Sequence, residues 1–387
     1  MKRLPSPLKF GGIILLFIMG IVLRGLALPA ISADMRWAYV PWYDFLKTHG
    51  MQGIGTNFSD YSPPYLYLLW LVTFVSNYLP SVAAIKSITI LTDIVNTVLV
   101  YRVMQLKYAT GLKPVLASAL FWILPTVMMN SSLWGQTDSL YTLFLLVCLY
   151  YLLTDRPFWG VCAFGVAITV KAQAVFIAPL LAILFFKKRI AWQYFLMVPL
   201  IYILLDMPAF LLGRPLLGIF TIYTSQAATF QDLSRHAPNL YIFMNSFPYN
   251  LGVALGLTIA VVAIGSWIGF SVHSKLELNP DIILFISLVS VALTPFLLPK
   301  MLDRYFYPAD ILALIAAFYL PELWFVPILY QIISGSAYLV SLFDAPLLLI
   351  KGAALINAAT VFFLIWKQVR TIGPAASTQT STKESLT

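Results

Sequence analysis

The stretch PPYLYLLWLVTFVSNYL, Pro63 to Leu79, decides the fold, because the topology of everything after it turns on whether it crosses a membrane. That a membrane is involved follows from composition: 60% of residues are hydrophobic, only 10% are charged and the mean hydropathy is +0.87, outside the range of soluble domains. The positive-inside rule asks Lys and Arg to gather at every second loop, and they do so only if Pro63 to Leu79 is left out of the count. This segment opens on a proline pair and is rich in tyrosine. Both features suit a helix lying in the outer interface, where amphipathic rings are comfortable.

Working outward, Phe10 to Leu28 follows Lys2, Arg3 and Lys9 and is long enough to span. It resembles a signal peptide, but the many spans behind it argue for a retained helix with a cytoplasmic N-terminus. The segments 82–101 and 114–129 flank Arg102, Lys107 and Lys113, and 139–153 returns to Asp155 and Arg156. Two short apolar halves, Phe158 to Val170 and Ala174 to Phe186, read as an outward-pointing hairpin joined by Lys171-Ala172-Gln173 and closed by Lys187, Lys188 and Arg189. Segments 192–212, 251–272, 281–298 and three more bring the chain to Lys367 and Arg370.

The expectation is an all-α polytopic membrane protein with about 12 transmembrane helices and both termini in the cytoplasm. One transmembrane domain covers 1–372, with a first outer loop at 30–81 that contains interfacial helices and a second large outer loop at 213–249. The Ser/Thr-rich tail at 373–387 reads as disordered. Cys148 and Cys162 lie in apolar runs and read as packing residues. The net charge of +9 comes from small groups at segment ends, which orient a protein in a bilayer, so no nucleic-acid site is read.

This topology sorts the charges. Arg24, Asp34, Asp60, Lys86, Asp93, Asp138, Lys171, Lys300, Asp303 and Arg304 all fall at the outer end, and charges near hydrocarbon that do not orient the chain usually mark a functional cavity. The polar knot NSSLWGQTDSL, Asn130 to Leu140, sits between two apolar runs and reads as part of that cavity's wall. Asp232, Arg235 and His236 in the second outer loop read on their own as a solvated face. The Asn57 and Asn130 triplets match a glycosylation acceptor, a pattern that arises readily by chance.

Five motifs run in order along about 300 residues: Asp34 after the first helix, Asp60-Tyr61-Ser62-Pro63-Pro64, Asn130 to Ser139, Lys171-Ala172-Gln173, and Asp303-Arg304-Tyr305-Phe306-Tyr307-Pro308. Together they resemble the GT-C superfamily of integral membrane glycosyltransferases, in particular its bacterial mannosyltransferase-like branch. The resemblance implies a polyprenyl-phosphate sugar donor, mannose as the sugar, a lipid-linked or glycan acceptor, no cofactor, and a site on the outer face of a bacterial inner membrane. It also implies substrate contacts from Trp134, Gln136, Asp138, Gln173, Asp303 and Tyr305. Where that pattern commonly has His-Glu before Arg-Tyr, this chain has Leu302-Asp303. The first loop offers no Asp-x-Asp or Asp-x-Glu, so no metal site is expected.

The chemistry can be stated from the residues. An outer-face transferase needs a donor that arrives as a lipid, and its phosphate leaving group calls for cations. Arg304 is the first candidate because a guanidinium meets phosphate oxygens in a bidentate fork; Lys171 and Lys300 follow as point charges. The competing reading for Arg304 and Lys300 is an interfacial cation whose stem lies along hydrocarbon. Asp34 has the address of a general base for the acceptor hydroxyl, and one base with direct displacement implies inversion. Trp134 is read either as a sugar-stacking ring or as an interfacial anchor. Asp60 is expected to pair with Arg36 or Lys86, and Asp93 with Lys86 or Arg24, as scaffold. Two other classes stay open: a secondary transporter or flippase, and a non-catalytic polyprenyl-lipid-binding scaffold. Charges crowded at one end, with no clear internal repeat, disfavour the transporter.

Overall fold

The computed structural model describes residues 7–372; Lys2, Arg3 and the 373–387 tail lie outside the described residues. The chain is helical almost throughout. In order come α1 (Pro7–Ala27), α2 (Val40–His49), α3 (Pro63–Leu71), α4 (Ser81–Lys107), α5 (Leu112–Trp122), α6 (Pro125–Met128), α7 (Asp138–Leu153), α8 (Pro157–Val170) and α9 (Ala178–Phe186). There follow α10 (Met197–Leu211), α11 (Leu216–Phe220), α12 (Ile222–Ala228), α13 (Tyr249–His273), α14 (Pro280–Leu297), α15 (Tyr307–Tyr319), α16 (Val326–Phe343) and α17 (Leu348–Ile372). The described strand content is one short parallel pair, β1 (Ser234–Arg235) with β2 (Met301–Leu302). Proline at the first or second position opens many helices, where its missing N–H leaves no helical bond unmade.

Among the described residues, six helices are long and apolar enough to cross a membrane, or seven if the bent pair Leu112–Trp122 and Pro125–Trp134 counts as one span. Six further apolar helices are shorter: Gly11–Ala27, Pro63–Val75, Asp138–Leu153, Pro157–Val170, Ala172–Phe186 and Tyr307–Tyr319. The helices most enclosed by neighbours are α14 and α15, whose side chains are buried nearly all round, whereas α10 and α13 leave most of their apolar surface uncovered. The expected hairpin of short halves is opened out: α8 packs on α7 and α10, while α9 packs on α13 and α14.

The bend between α5 and α6 explains three polar groups inside the bundle. Pro125 breaks the ladder, so the N–H of Thr126 cannot reach the carbonyl of Trp122 as it would in an unbroken helix. Gln331 Oε1 accepts from that N–H at 3.1 Å, and Arg24 donates to the Trp122 carbonyl at 2.7 Å. Arg24 is balanced by Asp93 at 3.0 Å, which also accepts from Ser131 at 2.6 Å, and its guanidinium lies 3.6 Å over the Trp122 ring. Arg24 and Asp93 are both buried, and in such an interior side chains must do what the broken ladder cannot.

Lys86 has a comparable task. Its ammonium donates to the carbonyls of Ala27, Leu28 and Ala30 at 3.1, 3.2 and 2.7 Å, closing the C-terminal end of α1. Asp93 therefore pairs with Arg24, and Lys86 pairs with neither Asp93 nor Asp60. At the other end of the bundle, surface pairs join Lys107 to Asp281 (2.6 Å), Lys367 to Glu322 (3.1 Å), and Arg189 to Asp155.

Candidate functional site

The stretch 130–139 is not an exposed loop. Met129–Trp134 winds as a π-helix, Gly135 ends it with φ of +80°, and Asn130, Ser131, Ser132, Trp134, Gln136, Thr137, Asp138 and Ser139 are all buried. A side chain on Gly135 would meet both a left-handed backbone and Met35 Cε. Ser32 Oγ donates to the Trp134 carbonyl at 2.9 Å and accepts from the Met35 N–H at 3.1 Å, so the segment after α1 is stitched to this wall.

That stitching sets Asp34. Its Oδ2 accepts from Trp134 Nε1 at 3.0 Å and from the Gln136 amide. The amide is oriented by Tyr39, whose hydroxyl donates to Gln136 Oε1 at 2.9 Å; with oxygen turned to the phenol, the NH₂ must face the carboxylate. Burial, together with Tyr61 and Tyr65, holds the Tyr39 phenol well above its ordinary value, so it stays a donor. Asp34 Oδ1 carries no hydrogen bond among the described residues, and the side chain is 44% exposed. Trp134 is thus a donor to Asp34 rather than an interfacial anchor.

A second carboxylate, Asp138, is fully buried at the start of α7. Lys171 Nζ donates to its Oδ1 at 2.5 Å, Asn130 Nδ2 donates to its Oδ2 at 2.9 Å, and Arg304 Nε lies 3.5 Å from Oδ2. Lys171 is delivered by the extended residue that separates α8 from the next turn. Arg304 stands where three carboxylates converge: Nη1 is 3.2 Å from Asp303 Oδ1 and 4.0 Å from Asp34 Oδ2, and Nε faces Asp138. Burial alone would lower its pKa, but Asp303, Asp138 and Asp34 outweigh that and hold it well above the ordinary value. Burial raises the Asp303 carboxyl, with Arg304 and Ser341 opposing.

Two pockets meet here. A cleft of about 170 Å³ is lined by Asp34, Ala38, Tyr39, Trp42, Asp60, Tyr61, Gln136, Val170, Lys171, Gln173, Gln226, Thr229, Phe230, Leu302, Arg304 and Tyr305. It mixes carboxylates, amides and aromatic faces, a lining suited to a small polyhydroxylated molecule. A neighbouring, more apolar pocket of about 390 Å³ shares Gln173, Gln226, Phe230, Leu302 and Tyr305 with it and reaches Val253 and Leu257 on α13. Its cations are Arg235, stacked 3.7 Å over Phe230, and Lys300, which donates to the Phe230 carbonyl at 3.0 Å and to the Tyr249 hydroxyl.

Of the residues singled out in the sequence, Asp34, Asp60, Gln136, Lys171, Gln173, Arg304 and Tyr305 line one cleft. Trp134, Asp138 and Asp303 lie behind it, Lys300 belongs to the neighbouring pocket, and Lys86 and Asp93 serve helix ends and breaks. Asp60 is exposed and forms no ion pair with Arg36 or Lys86; its backbone carbonyl accepts from Gln226. Asn130 is buried against Asp138 and out of reach of a glycan, and Asn57 accepts from Arg214 Nε at 3.1 Å. Sequence reasoning missed Ala38, Trp42, Gln226 and Phe230. Asp34, Ala38 and Trp42 follow one another at intervals of four on a helical run, a signal that was readable; Gln226 and Phe230 carried none.

No protein-family model and no curated protein sequence matches this chain.

Proposed function

We propose that the protein is an integral membrane glycosyltransferase of the GT-C kind, moving a hexose, mannose on the resemblance, from a polyprenyl-phosphate donor to a lipid-linked or glycan acceptor. On this reading the six long helices, the bent pair and the short helices other than Pro63–Val75 make twelve crossings, and α3 lies in the outer interface. The termini are cytoplasmic and the cleft opens on the outer face of a bacterial inner membrane.

The observation that carries the reading is Asp34. One carboxylate oxygen is fixed by two side-chain donors and the other is unencumbered at a cleft that also holds a buried guanidinium and ammonium. A general base needs that combination of fixed direction and free lone pair. The acceptor hydroxyl gives its proton to Asp34 Oδ1 as its oxygen bonds to the anomeric carbon. The bond from that carbon to the phosphate oxygen breaks on the far side, and polyprenyl phosphate departs with both electrons. A ligand with its sugar in the cleft and its chain in the neighbouring pocket puts its phosphate at their shared wall. Arg304 and Lys171 lie on one side of that wall and Lys300 and Arg235 on the other, placed to stabilise the leaving charge. Single displacement inverts the anomeric centre.

The test is transfer of labelled sugar by purified protein from polyprenyl-phosphate mannose to a panel of acceptors, for the intact chain and Asp34→Asn. A loss of about 10²–10⁴ in turnover with donor binding retained is expected. Equal transfer by both, or retention of configuration in the product, refutes the role of Asp34.

A further inference from the structure

Behind Arg304 runs a hydrogen-bonded chain that the transfer chemistry does not use. Ser341 on α16 donates its hydroxyl proton to Asp303 Oδ2 at 2.5 Å, and the other oxygen of Asp303 holds Arg304 Nη1 at 3.2 Å. His236 Nδ1 lies 3.1 Å from the same Ser341 oxygen. A hydroxyl has one proton, and this one is committed to the carboxylate, so Ser341 must accept from the ring; that assigns the proton to His236 Nδ1. The order is Nδ1–H to Oγ–H to carboxylate, with the guanidinium donating to the carboxylate's other oxygen, so that each bond polarises its neighbour.

The loop is built to bring the ring there. His236 has φ of +57°, unusual for a residue with a side chain, and is held in it by the β1–β2 pairing, by its own bridge to Leu302 and by the bond of Ser234 Oγ to the Ala237 carbonyl at 3.0 Å. We infer that His236 is a positioning residue: acting through Ser341 and Asp303, it keeps Arg304 Nη1 on Asp303 and away from Asp34. Nη1 is already 4.0 Å from Asp34 Oδ2. When the ring is lost, Ser341 is free to rotate, Asp303 loosens, and Arg304 closes on Asp34, weakening it as a base. Among the described residues, the ionisable groups that act on Asp303 are Arg304, Asp34 and His236.

The effect on turnover rests on the transfer reading; the effect on the imidazole does not. His236→Asn keeps a residue that tolerates the left-handed backbone and offers an amide donor near Nδ1, whereas His236→Gly keeps the backbone alone. Expected is turnover near the parent for His236→Asn and a loss of about tenfold for His236→Gly, the size of one lost hydrogen bond. The second measurement is the ¹⁵N spectrum of the His236 ring in the full chain, assigned by its absence in His236→Asn, with Asp303→Asn and Ser341→Ala compared. The intact chain is expected to carry its proton on Nδ1, and the Nδ1 resonance to shift in both variants as the chain of bonds is broken. If the intact chain transfers no sugar but the resonance shifts in both variants, the chain of bonds stands and the transferase reading falls. If it shifts in neither, or if the Gly and Asn variants behave alike, the inference is overturned.

Discussion

Arg24→Leu tests whether a charge inside this bundle repairs a broken helix. Arg24 is 3% exposed and gives up three things at once: the ion pair with Asp93 at 3.0 Å, the bond to the Trp122 carbonyl at 2.7 Å, and the stack on Trp122 at 3.6 Å. Removing one member of a buried pair costs about 3–5 kcal/mol, because the other charge is left without a partner. The orphaned carbonyl adds about 1–3 kcal/mol. The double variant Arg24→Leu with Asp93→Leu removes the stranded charge but leaves the carbonyl and takes an acceptor from Ser131, so it should be more stable than Arg24→Leu alone by about 2–4 kcal/mol. Equilibrium unfolding in mixed micelles, titrated with SDS, reads all three free energies. A single variant within about 1 kcal/mol of the parent, or a double variant less stable than the single, would refute the repair account.

Three further outcomes follow from the same geometry. Lys86→Met strands the carbonyls of Ala27, Leu28 and Ala30 and is expected to lose about 3 kcal/mol or more in the same unfolding assay, with a near-neutral result contradicting its capping role. On the transfer reading, Trp134→Phe removes one of two donors to Asp34 and should lower turnover about 3- to 10-fold while leaving donor binding intact; a loss of binding instead would mean that the ring touches the sugar. Asp303 has a folded pKa raised above 3.8 by burial, so the folded state holds its proton longer than the unfolded chain does. Its contribution is greatest at acid pH and falls as pH rises from 3.8 through the raised value. The stability of the parent relative to Asp303→Asn should therefore decline across that window, and a difference that is flat or rises with pH would be inconsistent with the burial.

Which charges serve the site and which serve the helices was only half legible in the sequence. Composition fixed the helical class, and the positive-inside rule set apart the end where Asp34, Lys171 and Arg304 lie, because both are sums over many residues. Pairing is not such a sum. Arg24 meets an aspartate 69 residues away and a carbonyl 98 residues away, and only the bend at Pro125 makes that carbonyl need it. Lys300 was grouped with Arg304 as a point charge at the same end, yet its φ of +64° and the adjacent β-pairing turn it toward Phe230 and Tyr249. The role of Gln136 depends on Tyr39 to orient its amide, and that contact spans 97 positions. Span count is obscured for a different reason: α7, α8 and α15 are shorter than a bilayer requires of an isolated helix, and one cap of each, Thr137, Lys171 and Phe306, is buried in the protein.

The crowding of three carboxylates around Arg304 is at first sight a poor arrangement for a phosphate. Asp138 and Asp303, however, are buried and do not share the cleft; their task is to fix Arg304 and Lys171 before any ligand arrives. A cation already held in place loses no freedom when the leaving group forms beside it, which is where preorganised sites gain their rate. Asp34 alone is half exposed, and Arg304 sits at the edge of ion-pair range from it. On the transfer reading, a donor phosphate that draws on Arg304 weakens that guanidinium's hold on Asp34 and adds negative charge nearby. Arg304 then turns from Asp34 to the phosphate, leaving the carboxylate to an acceptor hydroxyl at the moment when there is a sugar to receive it.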